Sequence, residues 1–341
     1  MSGLEIVPVD PHDPAGFEAY YATYAAAATA GPAREYATIW QLGEAQVALA
    51  NPDERRFRIA WSGRVDGAVA AAGWLEGSTV DNTDLATVRV GCHPDHRGRG
   101  YAAAMLAHVE DQARARGRSR LLAEVDWPYS AGADGGGSGD LAWARRQGYE
   151  VGLVDVQRRL TLPVAEEILD ELAAEAAAHH EGYELRSFGG PVPDELAEAW
   201  ERLDATLMTE APMGEIEREV EVADVAALRA REAVVAAQGR QKVNTAALAP
   251  GGDLVALTDI AVTVHESERA YQWGTLVRPD HRGHRLGLAV KVANLRLLQQ
   301  SHPQITTVVT YNADVNAPMV GINERLGFRP VAYLGELQKR L

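Results

Sequence analysis

The chain has 341 residues, 46% of them hydrophobic, and a formal net charge of −15. That length exceeds one ordinary core and points to two domains, while an acidic balance without a domain-wide cluster of Lys and Arg excludes a reader of the nucleic-acid backbone. The single cysteine, Cys92, excludes a disulfide framework and a cysteine-rich zinc site. As a lone thiol in an apolar strand it reads as packing, and no metal is expected. No leader pattern and no run of about 18 apolar residues occurs, so a cytoplasmic protein without membrane contact is expected.

In chain order, the first half predicts a strand over 4–9, helical patterning over 16–49, and strands near 57–61 and 68–74. A strand over 85–92, a helix over 101–116, a strand over 120–126, a helix over 141–147 and a closing strand follow. Residues 163–180 read as a connecting helix with Pro163 in its first turn and acids near its N-terminus, where the macrodipole favours them. His179 and His180 read as its solvated end. The second half repeats the order from Tyr183: helices over 193–209 and 222–238, strands over 242–248, 254–264 and 270–277, a helix over 286–300 and a strand over 305–311. Each half implies a mixed sheet with crossover helices, an α/β chain of the α+β kind.

The repetition is also one of residues. Pro94, Asp95, His96, Arg97 and Gly98 recur as Pro279, Asp280, His281, Arg282 and Gly283, each time before an Ala- and Leu-rich helix. Further on, Arg146, Gly148 and Tyr149 recur as Arg325, Gly327 and Phe328. The first half carries extra residues between these anchors, and the Gly-rich run 132–139 accounts for them as a loop. Domains are expected at 1–162 and 183–341, with 163–182 as connector.

Arg97, Gly98, Arg99 and Gly100 must turn sharply between an apolar strand and a helix, and glycines there let backbone N–H groups converge at a helix N-terminus. That is an anion site, suited to a diphosphate. Together with Ala102, these residues resemble the signature of the GNAT superfamily of N-acetyltransferases, whose loop reads Gln/Arg-x-x-Gly-x-Gly/Ala. The second copy keeps Arg282 and Gly287 but has Arg285 where the middle glycine belongs. The two copies with a connector resemble the mycothiol synthase-like two-domain actinobacterial acetyltransferases over nearly the whole chain.

The resemblance implies two tandem domains, each a mixed, mostly antiparallel twisted sheet flanked by helices. It also implies acetyl-CoA, or another short acyl-CoA, as cosubstrate, with the pantetheine arm entering a V-shaped split between the fourth and fifth strands. Cofactor contacts would come from Val90, Gly91, Cys92, Arg97, Gly98, Arg99, Gly100, Tyr101 and Ala102. In the second half they would come from Thr275, Leu276, Val277, Arg282, Gly283, His284, Arg285, Leu286 and Gly287. Asn316 is placed to bond the pantetheine arm or to cap the helix that follows it.

The family's usual tyrosine acid has no counterpart, because Ala144 and Asn323 stand at its two positions. Asp259, a carboxylate inside an apolar strand, and Tyr311, at the end of the fifth strand, are the candidate base and acid. Glu124 and Asp126 share a strand face that could line the acceptor cleft, but read first as solvated acids. The expected activity is direct N-acyl transfer to a primary amine of a small molecule, catalysed by a monomer or homodimer; the resemblance suggests the C-terminal half as the catalytic one, whereas the fuller loop of the first half points the other way. A catalytically silent acyl-CoA-binding sensor or scaffold is the alternative.

Overall fold

A computed structural model describes residues 3–50 and 55–341. The chain forms two compact units that are not contiguous in sequence: one gathers 1–155, 214–217 and 332–341, the other 156–213 and 218–331.

The first unit contains β1 (Glu5–Pro8), α1 (Pro14–Ala28), α2 (Leu42–Leu49), β2 (Arg56–Val65), β3 (Ala68–Ser78) and β4 (Leu85–Cys92). It continues through α3 (Tyr101–Arg114), β5 (Arg120–Pro128), α4 (Gly139–Arg146) and the start of β6 (Glu150–Thr161). Strands β1 to β4 form an antiparallel meander. The expected helix over 16–49 is broken where Gly31 takes φ +60° and Pro32 opens a 3-10 turn over Gly31–Glu35, which a continuous α-helix cannot accommodate. One sheet face packs against α1 and α2 through Phe17, Tyr20, Ala45, Ala48, Ala60 and Trp74. Met105 and Val109 of α3 lie against Gly73 on the other.

In the second unit the connecting segment becomes α5 (Glu166–Ala177), followed by β7 (Glu184–Gly189), α6 (Asp194–Asp204), α7 (Leu207–Glu210) and α8 (Val225–Ala237). Then come β8 (Arg240–Leu248), β9 (Leu254–Thr263), β10 (Glu266–Val277), α9 (Leu286–Ser301), β11 (Thr307–Ala313), α10 (Ala317–Leu326) and β12 (Arg329–Arg340). Strands β7 to β10 form the corresponding meander. Helix α5 is part of this unit's core: Leu169, Leu172 and Ala176 pack with Leu288, Val292 and Leu295 of α9.

The last strand of the chain closes the first unit. From Ala332 to Arg340, β12 runs antiparallel to β5, pairing with Pro128 through Arg120. Gly335 lies where an added Cβ would come 2.7 Å from Trp127 Cζ3, so only glycine lets the indole cross this strand. Lys339 reaches Glu110 of α3 at 2.7 Å, and the Tyr149 hydroxyl donates to the same carboxylate at 3.2 Å.

In both units the sheet splays where the meander meets the next parallel strand. Strand β4 pairs with β5 only from Leu85 to Thr87, and β10 pairs with β11 only from Arg269 to Tyr271. Past those points the facing edges of β4 and β10 are open. Strand β10 also carries a bulge between Gln272 and Thr275, whereas β4 runs in continuous register with β3.

Candidate active site

In the first unit, Val90, Gly91 and Cys92 lie on the open edge of β4, where peptide groups turned toward β5 have no strand partner. Strand β4 leads into the turn of Arg97, Gly98, Arg99 and Gly100, in which Gly98 and Gly100 take φ +76° and +83° and a Cβ on either would point into open space. Gly100 is the N-cap of α3, so the first amides of the helix and the turn face a common concavity, with Tyr101 and Ala102 in its first turn. Arg97 and Arg99 are exposed, and among the described residues neither is ion-paired to a carboxylate. Open amides, left-handed glycines and two guanidiniums without a carboxylate partner, Arg97 reaching only the Ala27 carbonyl at 3.5 Å, fit a diphosphate-bearing ligand. Cys92 is a free, buried thiol pushed up by burial, in keeping with packing.

The second copy has the same backbone and a different setting. Arg285 holds φ +52° at the N-cap of α9, the left-handed conformation that Gly100 adopts in the first copy, and Gly283 matches Gly98. The side chain of Arg285 is ion-paired to Glu175 of α5, which also holds Arg325. Arg282 is paired to Glu210 at 2.7 Å, and His284 Nδ1 lies 3.0 Å from the carbonyl oxygen of His179. Tyr183 meets His281 Nδ1 at 2.8 Å. The cations of this loop are therefore already matched by carboxylates of the same unit. Leu286 and Gly287 are buried in the first turn of α9, and Thr275, Leu276 and Val277 lie on β10 beyond the bulge.

Asn316 caps α10, its Oδ1 accepting from the Met319 N–H at 3.4 Å. The Tyr311 hydroxyl accepts from Gln157 Nε2 at 2.5 Å. Asp259 is buried, with Oδ2 2.5 Å from Lys242 Nζ and Oδ1 accepting from the bulge N–H of Gly274 at 2.8 Å. Lys242 and Asp259 line a cavity of about 370 Å³ with Asp204, Leu228, Trp273 and others. Asn323, at the place of the family acid, is fully buried and donates to Asn312 Oδ1 at 3.0 Å, while Ala144 is buried in α4.

Asp126 departs from the expectation of a solvated acid. It lies on β5 past the splay, and its Oδ1 is buried without a hydrogen-bond partner. Burial, reinforced by the neighbouring Glu124 carboxylate, pushes Asp126 up to about 7. Glu124 instead faces Arg89 of β4 at 3.4 Å, and Arg89 also meets Glu76 at 3.2 Å. Burial opposes the Glu76 charge, but Arg89 and Arg58 hold it below the usual carboxylate range. The 3-10 turn after α1 packs on β5, and burial raises both Tyr24 and Tyr36 in a setting where each feels Asp126. One free carboxylate thus sits among tyrosines beside the open strand edge. Period-two alternation put Glu124 and Asp126 on one face but carried no sign that α1 and its following turn would bury one of them.

Each unit thus has a meander splaying from a parallel strand, with an arginine-containing turn feeding a helix. Residues 19–131 match the acetyltransferase (GNAT) family. Over the whole chain the structure is similar to a tandem GNAT protein from the clavulanic acid biosynthesis pathway, solved without acetyl-CoA. The two share 26% identity, with a TM-score of 0.80 over 99% of this chain and 98% of that one. It is also similar in fold to a GCN5-related N-acetyltransferase from Sphaerobacter thermophilus, at 15% identity and TM-score 0.63 over 100% and 96% of the two chains. A GCN5-related N-acetyltransferase from Kribbella flavida shares 11% identity and a TM-score of 0.53, over 99% of this chain and 71% of that one. No curated protein matches in sequence. The family match thus falls within the first unit, and the whole chain has the fold of a tandem GNAT protein.

Proposed function

We propose that the first unit is an acetyl-CoA-dependent N-acyltransferase that passes the acyl group directly to a primary amine of a small molecule, with Asp126 as the base. Acetyl-CoA would be held by the turn of Arg97 to Gly100, by Tyr101 and Ala102 at the start of α3, and by the open edge of β4 from Val90 to Cys92. It supplies the activated thioester. An arriving amine is an ammonium ion and must lose a proton before it can attack, and a carboxyl that titrates near neutrality is matched to that task. A backbone N–H on the β4 edge would stabilise the thioester oxygen as it gains charge.

The single observation that carries this reading is the orphaned Oδ1 of Asp126, buried next to the splay and pushed up to about 7. The other pair weighed, Asp259 and Tyr311, is less available, since both oxygens of Asp259 are already engaged by Lys242 and Gly274. Asp126→Asn is expected to lower amine-stimulated release of CoA thiol by about 100-fold or more, with acetyl-CoA binding retained. In the parent protein that rate should rise with pH through about 7 as Asp126 gives up its proton. Unchanged turnover in the variant would remove Asp126 from the role.

A further inference from the structure

A lysine is almost never fully buried without a carboxylate beside it, and the second unit holds one that is. Lys291 lies on α9 with 1% of its surface exposed. Its Nζ donates to Gln272 Oε1 at 3.2 Å and sits 5.5 Å from the centre of the Phe328 ring. An ammonium carries three N–H donors. Gln272 takes one of them, and among the described residues no carboxylate pairs with Lys291. Burial alone pushes this amine down to about 7 from an ordinary 10.5, with no neighbouring charge acting on it.

Lys291 stands behind the point where the strands part. Tyr271 with Val309 is the last pair joining β10 to β11, so Gln272 and Thr310 are the first residues beyond it. Side chains alternate along a strand, which puts Thr310 and Asn312 on the α9 face with Gln272. Asn312 accepts there from Asn323 of α10 at 3.0 Å, and all four of these polar residues are buried. The first unit is apolar at the same places. Counted from the two turns, Lys291 corresponds to Leu106 of α3; counted from the last strand pair, Thr310 and Asn312 correspond to Ala123 and Val125, and Asn323 stands where α4 has Ala144. A leucine at 291 would avoid the cost of burying an unpaired ammonium. The charge is instead kept beside an open strand edge, where a counter-ion can come from outside. One cation calls for one monoanion, and the unpaired N–H groups of the β10 edge offer donors to its oxygens.

We infer that the apex of the split in the second unit is a binding site for a small monocarboxylate, with the Lys291 ammonium as its counter-charge and the open edge of β10 donating to its oxygens. The site needs no CoA and stands apart from the acyl transfer assigned to the first unit, so either assignment can fail alone.

Calorimetric titration of the full chain with butyrate at pH 8, in the absence of any CoA compound, tests it. Saturable heat is expected, and 1-butanol, of similar length but uncharged, should give none. An anion arriving beside Lys291 restores its proton, so the heat should vary with the ionisation enthalpy of the buffer as about one proton taken up per butyrate bound. This uptake is read on the parent protein and depends on no variant. Lys291→Leu, the residue of the first copy, should weaken binding about tenfold or more and abolish the uptake, while amine acetylation persists. It should melt no earlier than the parent, since it removes a buried charge without a partner. The inference is overturned if butyrate gives no saturable heat, if 1-butanol binds as tightly, or if butyrate binds without proton uptake. It is equally overturned if a folded Lys291→Leu binds like the parent, since the anion would then sit elsewhere, as at Arg97 and Arg99.

Discussion

Asp126 shows how a single side chain couples function to stability. In the folded protein it holds its proton up to about pH 7, whereas an unfolded aspartate releases it near its ordinary value of 3.8. Between those values the native state binds more protons than the unfolded one, so this residue's contribution makes stability fall as pH rises from about 4 to 7. Asp126→Asn removes a charge that burial disfavours. The same variant should therefore unfold at a higher urea concentration than the parent at pH 7.5, with the two drawing together near pH 4. A lower midpoint for the variant at pH 7.5 would mean that Asp126 has a compensating partner. Arg285 is informative in a different way. Its departure from the loop pattern was visible in the sequence, yet its partner Glu175 was not, because an ion pair between a loop and a helix so far back in the chain leaves no local signature.

At the level of elements, most of the fold was legible. The alternating strands before each turn and the Ala- and Leu-rich helices after it stand where period-two and period-3.6 patterns put them, and the repeated Pro-Asp-His-Arg-Gly motif forms the same 3-10 turn at Pro94–His96 and Pro279–His281. Two things were hidden. The helical patterning over 16–49 does not locate the interruption at Gly31 and Pro32, since the Ala-rich stretch before them masks the break. The partner of the last strand could not be read either, because register between distant strands is a property of packing. Gly335 supplies the check. Gly335→Val drives a branched side chain into Trp127, a buried ring with no room to withdraw, and overpacking of this kind typically costs about 1–3 kcal/mol. The loss should appear as earlier melting of the first unit, followed by the near-ultraviolet signal of Trp127. An unchanged melt would contradict the pairing of β12 with β5.

Over the whole molecule, one motif used twice has led to two chemical settings. The first unit has an open arginine-glycine turn, two guanidiniums without a carboxylate partner among the described residues, and a carboxylate pushed up to about 7 beside the splayed strands. The second reproduces the backbone of that turn, including the left-handed residue, but answers its cations with its own acids. The sequence announced both copies and ranked the first loop as the fuller match. The family resemblance suggested the C-terminal half as catalytic and the fuller first loop pointed the other way, while nothing in the linear pattern could show that Glu175 and Glu210 would be brought to the second loop. The acceptor's identity was not legible at all, since residues of α1 and its following turn carry no motif and act only through what they bury.

The division of labour between the units is tested most directly by calorimetric titration of the full chain with acetyl-CoA. One site per chain is expected, weakened at least tenfold by Arg99→Glu and left intact by Arg282→Glu. Two sites of comparable affinity, or a single site lost through Arg282→Glu and kept in Arg99→Glu, would contradict the account.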